Sequence, residues 1–257
     1  MSENKQLLSG RHALVTGGGT GIGLAIAKSL ADSGAQVTIT GRRREVLEAA
    51  ASAHSNLFAC VMDVTEEPSV VECIATAISQ RGPVTICVPN AGIAEGRALH
   101  KTDLAFWRHI MSTNLDGAFL TLRECTPGMR DAGWGRGILV SSVAGLRGLK
   151  GAPAYSASKH GMIGLMRGLS EDFLGTGITF NALCPGYVDT DIVARNQISI
   201  SQRAKVSQEQ ALAMMLSANR HQRLIAPEEV ASAALWLCLP GSESINGQCI
   251  EIAGGQV

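Results

Sequence analysis

The chain has 257 residues, 46% hydrophobic and 17% charged, which is enough to bury one sizeable core. Lys+Arg and Asp+Glu number 22 each, so the formal net charge is zero and nothing argues for a nucleic-acid or anionic-lipid partner. The opening MSENKQLLSGRH lacks the apolar core of a secretory signal and no apolar run reaches membrane-span length, so a cytoplasmic, membrane-free chain is expected.

The first strand candidate is HALVT (12–16), and it runs into VTGGGTGIGLAIAKSL (15–30), which opens a helix over 22–33. Strand candidates follow at QVTIT (36–40), NLFACV (56–61), VTICV (84–88), GILVS (137–141), ITFNAL (178–183) and QCIEI (248–252). Between them the pattern predicts helices near 43–53, 67–80, 102–128, 153–174 and 227–239. Apolar strands alternating with helices indicate a parallel sheet covered on both faces. The expected fold is therefore a doubly wound α/β (Rossmann) fold of about seven strands, in a single domain spanning 1–257. One stretch breaks the rhythm: 187–223 contains no strand, with a helical SQEQALAMMLSANR (207–220), and reads as a lid. The seven cysteines (Cys60, Cys73, Cys87, Cys125, Cys184, Cys238, Cys249) form no CxxC pair and read as reduced core residues. No metal site is visible, and the six histidines lack ligand spacing.

In the turn after the first strand, Gly17, Gly21 and Gly23 allow a tight bend, close approach of a phosphate and close helix–sheet packing. The spacing is GxxxGxG rather than GxGxxG, and any tight strand–helix connection also favours glycine. Asp63 in MDVT (62–65) is placed to accept from an adenine amino group, and equally to cap the helix ahead of EEPSV. PNAGIA (89–94) ends the fourth strand at the same edge. SSVAGLRGLKGAPAYSASKHG (141–161) sets Tyr155 and Lys159 four apart on one helix face. An ammonium beside a phenol favours the phenolate, so a lowered Tyr155 pKa is expected, fitting it for proton transfer near neutral pH. Ser142, at the end of the preceding strand, can hydrogen-bond a substrate oxygen.

With these pieces in place the chain resembles the short-chain dehydrogenase/reductase family, through TGGGTGIG (16–23), DV (63–64), NAG (90–92), STN (112–114), SS (141–142), YSASK (155–159) and PGYVDT (185–190). The resemblance implies a tetrad: Tyr155 as acid/base, Ser142 positioning the carbonyl, Lys159 tuning Tyr155 and holding the nicotinamide ribose, and Asn114 fixing a relay water. It implies cofactor contacts at Gly17, Gly21, Ile22, Gly23, Asp63, Val64, Asn90, Gly92, Tyr155, Lys159, Pro185, Gly186 and Thr190. A homotetramer built on helices 102–128 and 153–174 and on the C-terminal segment is likewise implied. Pro89 stands where the family usually has asparagine and removes one backbone N–H at that strand end.

TITGRRR (38–44) has Gly41 where a carboxylate would select NAD, followed by three arginines. Arg42 as first contact and Arg43 as second would bind a 2′-phosphate, so NADP(H) is favoured and NAD(H) is the alternative. Over 185–228 the chain is similar to polyketide and 3-oxoacyl ketoreductases and to 3-hydroxybutyrate dehydrogenases. The expected activity is reduction of a 3-oxoacyl thioester or related β-keto compound. Met214 and Met215 on the lid, and Arg147 and Lys150 in the preceding loop, are candidate substrate contacts. The alternatives are an NAD-dependent secondary-alcohol or 3-hydroxyacyl dehydrogenase and, in another class, a catalytically silent nucleotide sensor, which the intact tetrad disfavours.

Overall fold

The computed structural model describes residues 6–217 and 219–256. Strands β1 (His12–Thr16), β2 (Gln36–Gly41), β3 (Leu57–Val61), β4 (Ile86–Val88), β5 (Gly135–Val140), β6 (Ile178–Pro185) and β7 (Cys249–Ile252) form one sheet. The order is β3-β2-β1-β4-β5-β6-β7, and every pairing is parallel. Strands β1, β5 and β6 are buried at every residue, as apolar runs covered on both faces must be.

On one face α1 (Gly21–Asp32) and α9 (Pro227–Trp236) contribute Ile26, Leu30 and Val230 to the core. On the other, α3 (Glu67–Arg81), α5 (Gly117–Asp131) and α6 (Pro153–Asp172) contribute Ile74, Leu122 and Met166. Helix α2 (Arg44–Ser52) follows the arginine turn. The strand order reverses between β1 and β4, which opens a crevice at the carboxyl ends of the strands.

Three expectations are revised. The helix expected over 102–128 is α4 (Leu104–Met111), a π-helical turn at Ser112–Asp116, and α5. Asn114 sits in that turn with its amide bonded to Ile93 and Ser158, which draws the backbone out of α register. The lid holds two helices, α7 (Asp191–Ala204) and α8 (Gln208–Leu216), where the sequence suggested only the second. DIVARNQISISQRA is rich in β-branched and polar residues, which hides its helical character. Cys60 on β3 and Cys73 on α3, Cα atoms 6.3 Å apart, form a disulfide; α3 covers the face of β3 that carries Cys60. The other five cysteines are free, four of them buried.

Candidate active site

The glycine turn needs its glycines for different reasons. Gly17 and Gly21 have φ of +64° and +53°, in the left-handed region. A Cβ on Gly23 would stand 2.4 Å from both Asn90 Nδ2 and Gly17 O, so this glycine serves packing. Thr16 Oγ1 accepts from the N–H groups of Asn90 and Ala91, each at 2.9 Å. Asn90 Nδ2 donates to Thr16 O at 2.8 Å, so Asn90 locks the end of β4 to the glycine turn. Thr16 opens the TGGGTGIG motif, but the sequence gives no sign of this tie to Asn90 and Ala91. Val140 N donates to Pro89 O at 2.9 Å, and the β4–β5 ladder stops short, as a missing N–H requires.

A cavity of about 680 Å³ opens above these strand ends. Its wall includes Gly17, Gly21, Ile22, Arg43, Asn90, Gly92, Ser142, Tyr155, Lys159, Pro185, Gly186 and Thr190. Gly23, Asp63, Val64 and Asn114 are not part of that wall. Val64 packs against Gly117, whose Cβ would come within 2.8 Å of it. Asp63 Oδ1 accepts from Thr65 N and Thr65 Oγ1 at 3.0 and 2.8 Å, and Arg42 Nη1 lies 3.9 Å from Asp63 Oδ2. Arg43, not Arg42, lines the cavity, because successive residues of an extended segment point to opposite sides.

The chemistry sits between β5 and α6. Lys159 Nζ donates to Val140 O at 2.9 Å and Ser141 Oγ donates to Lys159 O at 3.1 Å, fastening helix to strand. Ser142 caps the short turn that follows, its Oγ accepting from Ala144 N at 3.1 Å. The ammonium lies 5.9 Å from the centre of the Tyr155 ring. Burial lowers the Lys159 pKa to about 8. Burial pushes the Tyr155 phenol up; the neighbouring Ser142 hydroxyl acts the other way, and Tyr187 adds to the rise. The expected lowering is thus reversed: desolvation of the phenol is the largest influence on it. Tyr155 is a protonated acid at neutral pH. Asn114 Oδ1 accepts from Ile93 N at 2.9 Å, and Nδ2 donates to Ile93 O and Ser158 Oγ, both at 3.0 Å. A Cβ on Gly92 would lie 3.1 Å from Asn114 Oδ1, so a larger residue there would crowd the Asn114 amide.

The cavity continues under the lid to Arg147, Lys150, Met214 and Met215, as anticipated, and to Glu95, Tyr187, Asn196 and Gln256, which were not. Both tyrosines of the chain therefore share one cavity. Asn219 pins the lid's base: Nδ2 donates to Tyr187 O at 3.3 Å and to Arg223 O at 2.8 Å. Ile225 N also donates to Tyr187 O, at 2.9 Å, and Val188 bridges Ile225.

The residues fit a dinucleotide. No side chain caps α1 and its first turn holds no acidic residue, so those amides are free for phosphate oxygens. Among the described residues no three metal-ligating side chains gather.

The short chain dehydrogenase profile matches residues 11–199, and the chain belongs to that family. It is 35% identical over 246 residues to an acetoacetyl-CoA reductase of Rhizobium meliloti, covering 96% of this chain and 98% of the relative. It is 31% identical over 252 residues to a D-beta-hydroxybutyrate dehydrogenase of the same organism, covering 95% and 98%. Among solved structures, an actinorhodin polyketide ketoreductase variant with NADPH superposes with a TM-score of 0.93 at 32% identity, covering 100% of this chain and 99% of that one. The protein is an oxidoreductase of this family.

Proposed function

We propose that the protein reduces the keto group of a 3-oxoacyl thioester or related β-keto compound at the expense of NADPH, as a cytoplasmic homotetramer. The observation that carries the reading is that Ser142, Tyr155 and Lys159 line one cavity together with the glycine turn and Asn90, which sets a proton donor beside a dinucleotide site. When bound, the dinucleotide supplies the hydride. Ser142 donates to the substrate carbonyl and Tyr155 transfers its proton to the forming alkoxide. Lys159 then faces the phenolate with its positive charge, and Asn114 holds the Ile93 and Ser158 backbone and side-chain groups around it. Gly17, Gly21 and Ile22 take the pyrophosphate, and Arg43 takes the 2′-phosphate with Arg42 outside it. Asp63 and Val64 back the adenine, and Asn90, Gly92, Pro185, Gly186 and Thr190 flank the nicotinamide half.

The substrate class is supported by the names of the relatives, the reductases of acetoacetyl-CoA and of polyketides among them. No helix among the described residues is long and apolar enough to cross a membrane, which is compatible with a cytoplasmic site. Exposed Leu104, Trp107 and Phe119 on α4 and α5 support assembly through those helices. Turnover on a panel of 3-oxoacyl thioesters, β-keto esters, simple ketones and secondary alcohols, with NADPH and NADH, tests the reading. Turnover confined to simple ketones or alcohols refutes the β-keto assignment, and preference for NADH refutes the cofactor.

A further inference from the structure

Beyond β7 the chain bends back on itself. Gly254 and Gly255 are both left-handed, with φ of +58° and +79°, and a Cβ on Gly254 would stand 2.4 Å from His221 Cδ2. This turn delivers Gln256 to the cavity wall, where it is 9% exposed. Its amide lies against Gly186: a Cβ there would meet Gln256 Oε1 at 2.9 Å and Asn219 Oδ1 at 2.8 Å. Gln256 Oε1 is buried and has no hydrogen-bond partner among the described residues. Two other side-chain oxygens share that condition, Thr40 Oγ1 and Thr179 Oγ1, but neither lines the cavity.

An unpartnered buried acceptor is costly, and this one crowds the same spot as a second acceptor, Asn219 Oδ1, whose own NH₂ is committed to Tyr187 O and Arg223 O. Rotating the amide by half a turn puts its NH₂ toward Asn219 Oδ1 and moves its oxygen to the other side of the amide, and in that orientation the side chain offers an acceptor to a donor in the cavity that Gln256 lines. Strand order indicates which ligand brings it. The glycine turn and Asn90 follow β1 and β4, in the middle of the sheet, whereas Gln256 follows β7 at its far edge. The reacting groups on β5 and α6 lie between the two. The lid residues Met214 and Met215 line the same cavity.

We propose that Gln256 is a specificity-determining residue that accepts a hydrogen bond from an amide N–H on the thioester arm of the substrate, beyond the carbonyl being reduced. This rests on the β-keto reading above and sharpens it: an acyl thioester on an amide-bearing arm is distinguished from a plain β-keto ester.

The test compares acetoacetyl-N-acetylcysteamine, which has the N–H, with ethyl acetoacetate, which lacks it, in wild type and in Gln256→Leu. The ratio of kcat/KM for the thioester over the ester should fall about tenfold or more in the variant, chiefly through KM. Gln256→Met, unbranched and close in volume, serves if the leucine variant does not fold. A ratio within twofold of wild type overturns the proposal. So does a tenfold weaker NADPH Kd, read by nicotinamide fluorescence without substrate, since Gln256 would then serve the dinucleotide. If wild type turns over neither compound, the β-keto reading itself has failed, and this proposal falls with it.

Discussion

Lys159→Met should abolish turnover and make the protein without added dinucleotide more stable at neutral pH. The ammonium is 5% exposed, its contacts are one carbonyl and the Met162 thioether at 3.4 Å, and no carboxylate pairs with it among the described residues. Its pKa drops from 10.5 to about 8 on folding. At about 1.36 kcal/mol per pKa unit, holding it charged costs roughly 3 kcal/mol. Methionine removes that cost but leaves Val140 O without its donor, about 1–3 kcal/mol in the other direction, so the net gain at pH 7 is about 1 kcal/mol. The pH dependence is the cleaner observable. Between about 8 and 10.5 the unfolded chain holds the Lys159 proton that the folded chain has released, so wild-type stability rises with pH through that window. The advantage of the variant should therefore shrink by about 1.4 kcal/mol between pH 7 and pH 9, while the Val140 contribution cancels. Urea melts of both proteins at pH 7, 8 and 9 measure this. A difference that stays flat would mean that Lys159 is not desolvated, and the reasoning about both pKa values at the site would fail.

Reduction should hold its kcat/KM below pH 8 and decline above it, because Lys159 loses its charge near 8 while Tyr155 stays protonated; a profile flat to pH 10 would contradict this. Arg43→Ala should weaken NADPH binding tenfold or more, about 1.4 kcal/mol, with a smaller effect on NADH, and Arg42→Ala should do less than either. Fluorescence titration of each variant decides which arginine carries the phosphate. Gly23→Ala forces a methyl to within 2.4 Å of Asn90 Nδ2 and Gly17 O, so it should cost about 2 kcal/mol in a urea melt and lower dinucleotide affinity; an affinity equal to wild type would show that the turn can shift freely.

The strand sequence and the reacting residues are legible because their signals are local. Apolar runs of five or six residues mark buried parallel strands, and four residues separate Tyr155 from Lys159 on one helix face. What stayed hidden depends on the chain returning from far away. Gln256 reaches the cavity from beyond the end of β7, and no spacing announces it. Arg42 and Arg43 are indistinguishable by type, and only the backbone direction after Gly41 separates them. The π turn at Asn114 keeps an apolar periodicity close to that of a continuous helix, so the single-helix reading of 102–128 was natural. The direction of the Tyr155 shift is hidden for another reason: spacing shows the ammonium nearby but not the burial that raises the phenol.

The lid begins and ends at one place, just beyond β6 and just before α9, where Val188 bridges Ile225 and the carbonyl of Tyr187 receives both Ile225 N and Asn219 Nδ2. Everything between is an appendage with a common entrance and exit, and lengthening such a loop costs only logarithmically in closure entropy. The segment behaves as a replaceable cassette. New substrate surfaces can be grafted between Thr190 and Asn219 while the seven strands, the cofactor wall and the proton-transfer residues keep their positions, which divides the molecule into a part that sets the reaction and a part free to change what is reacted.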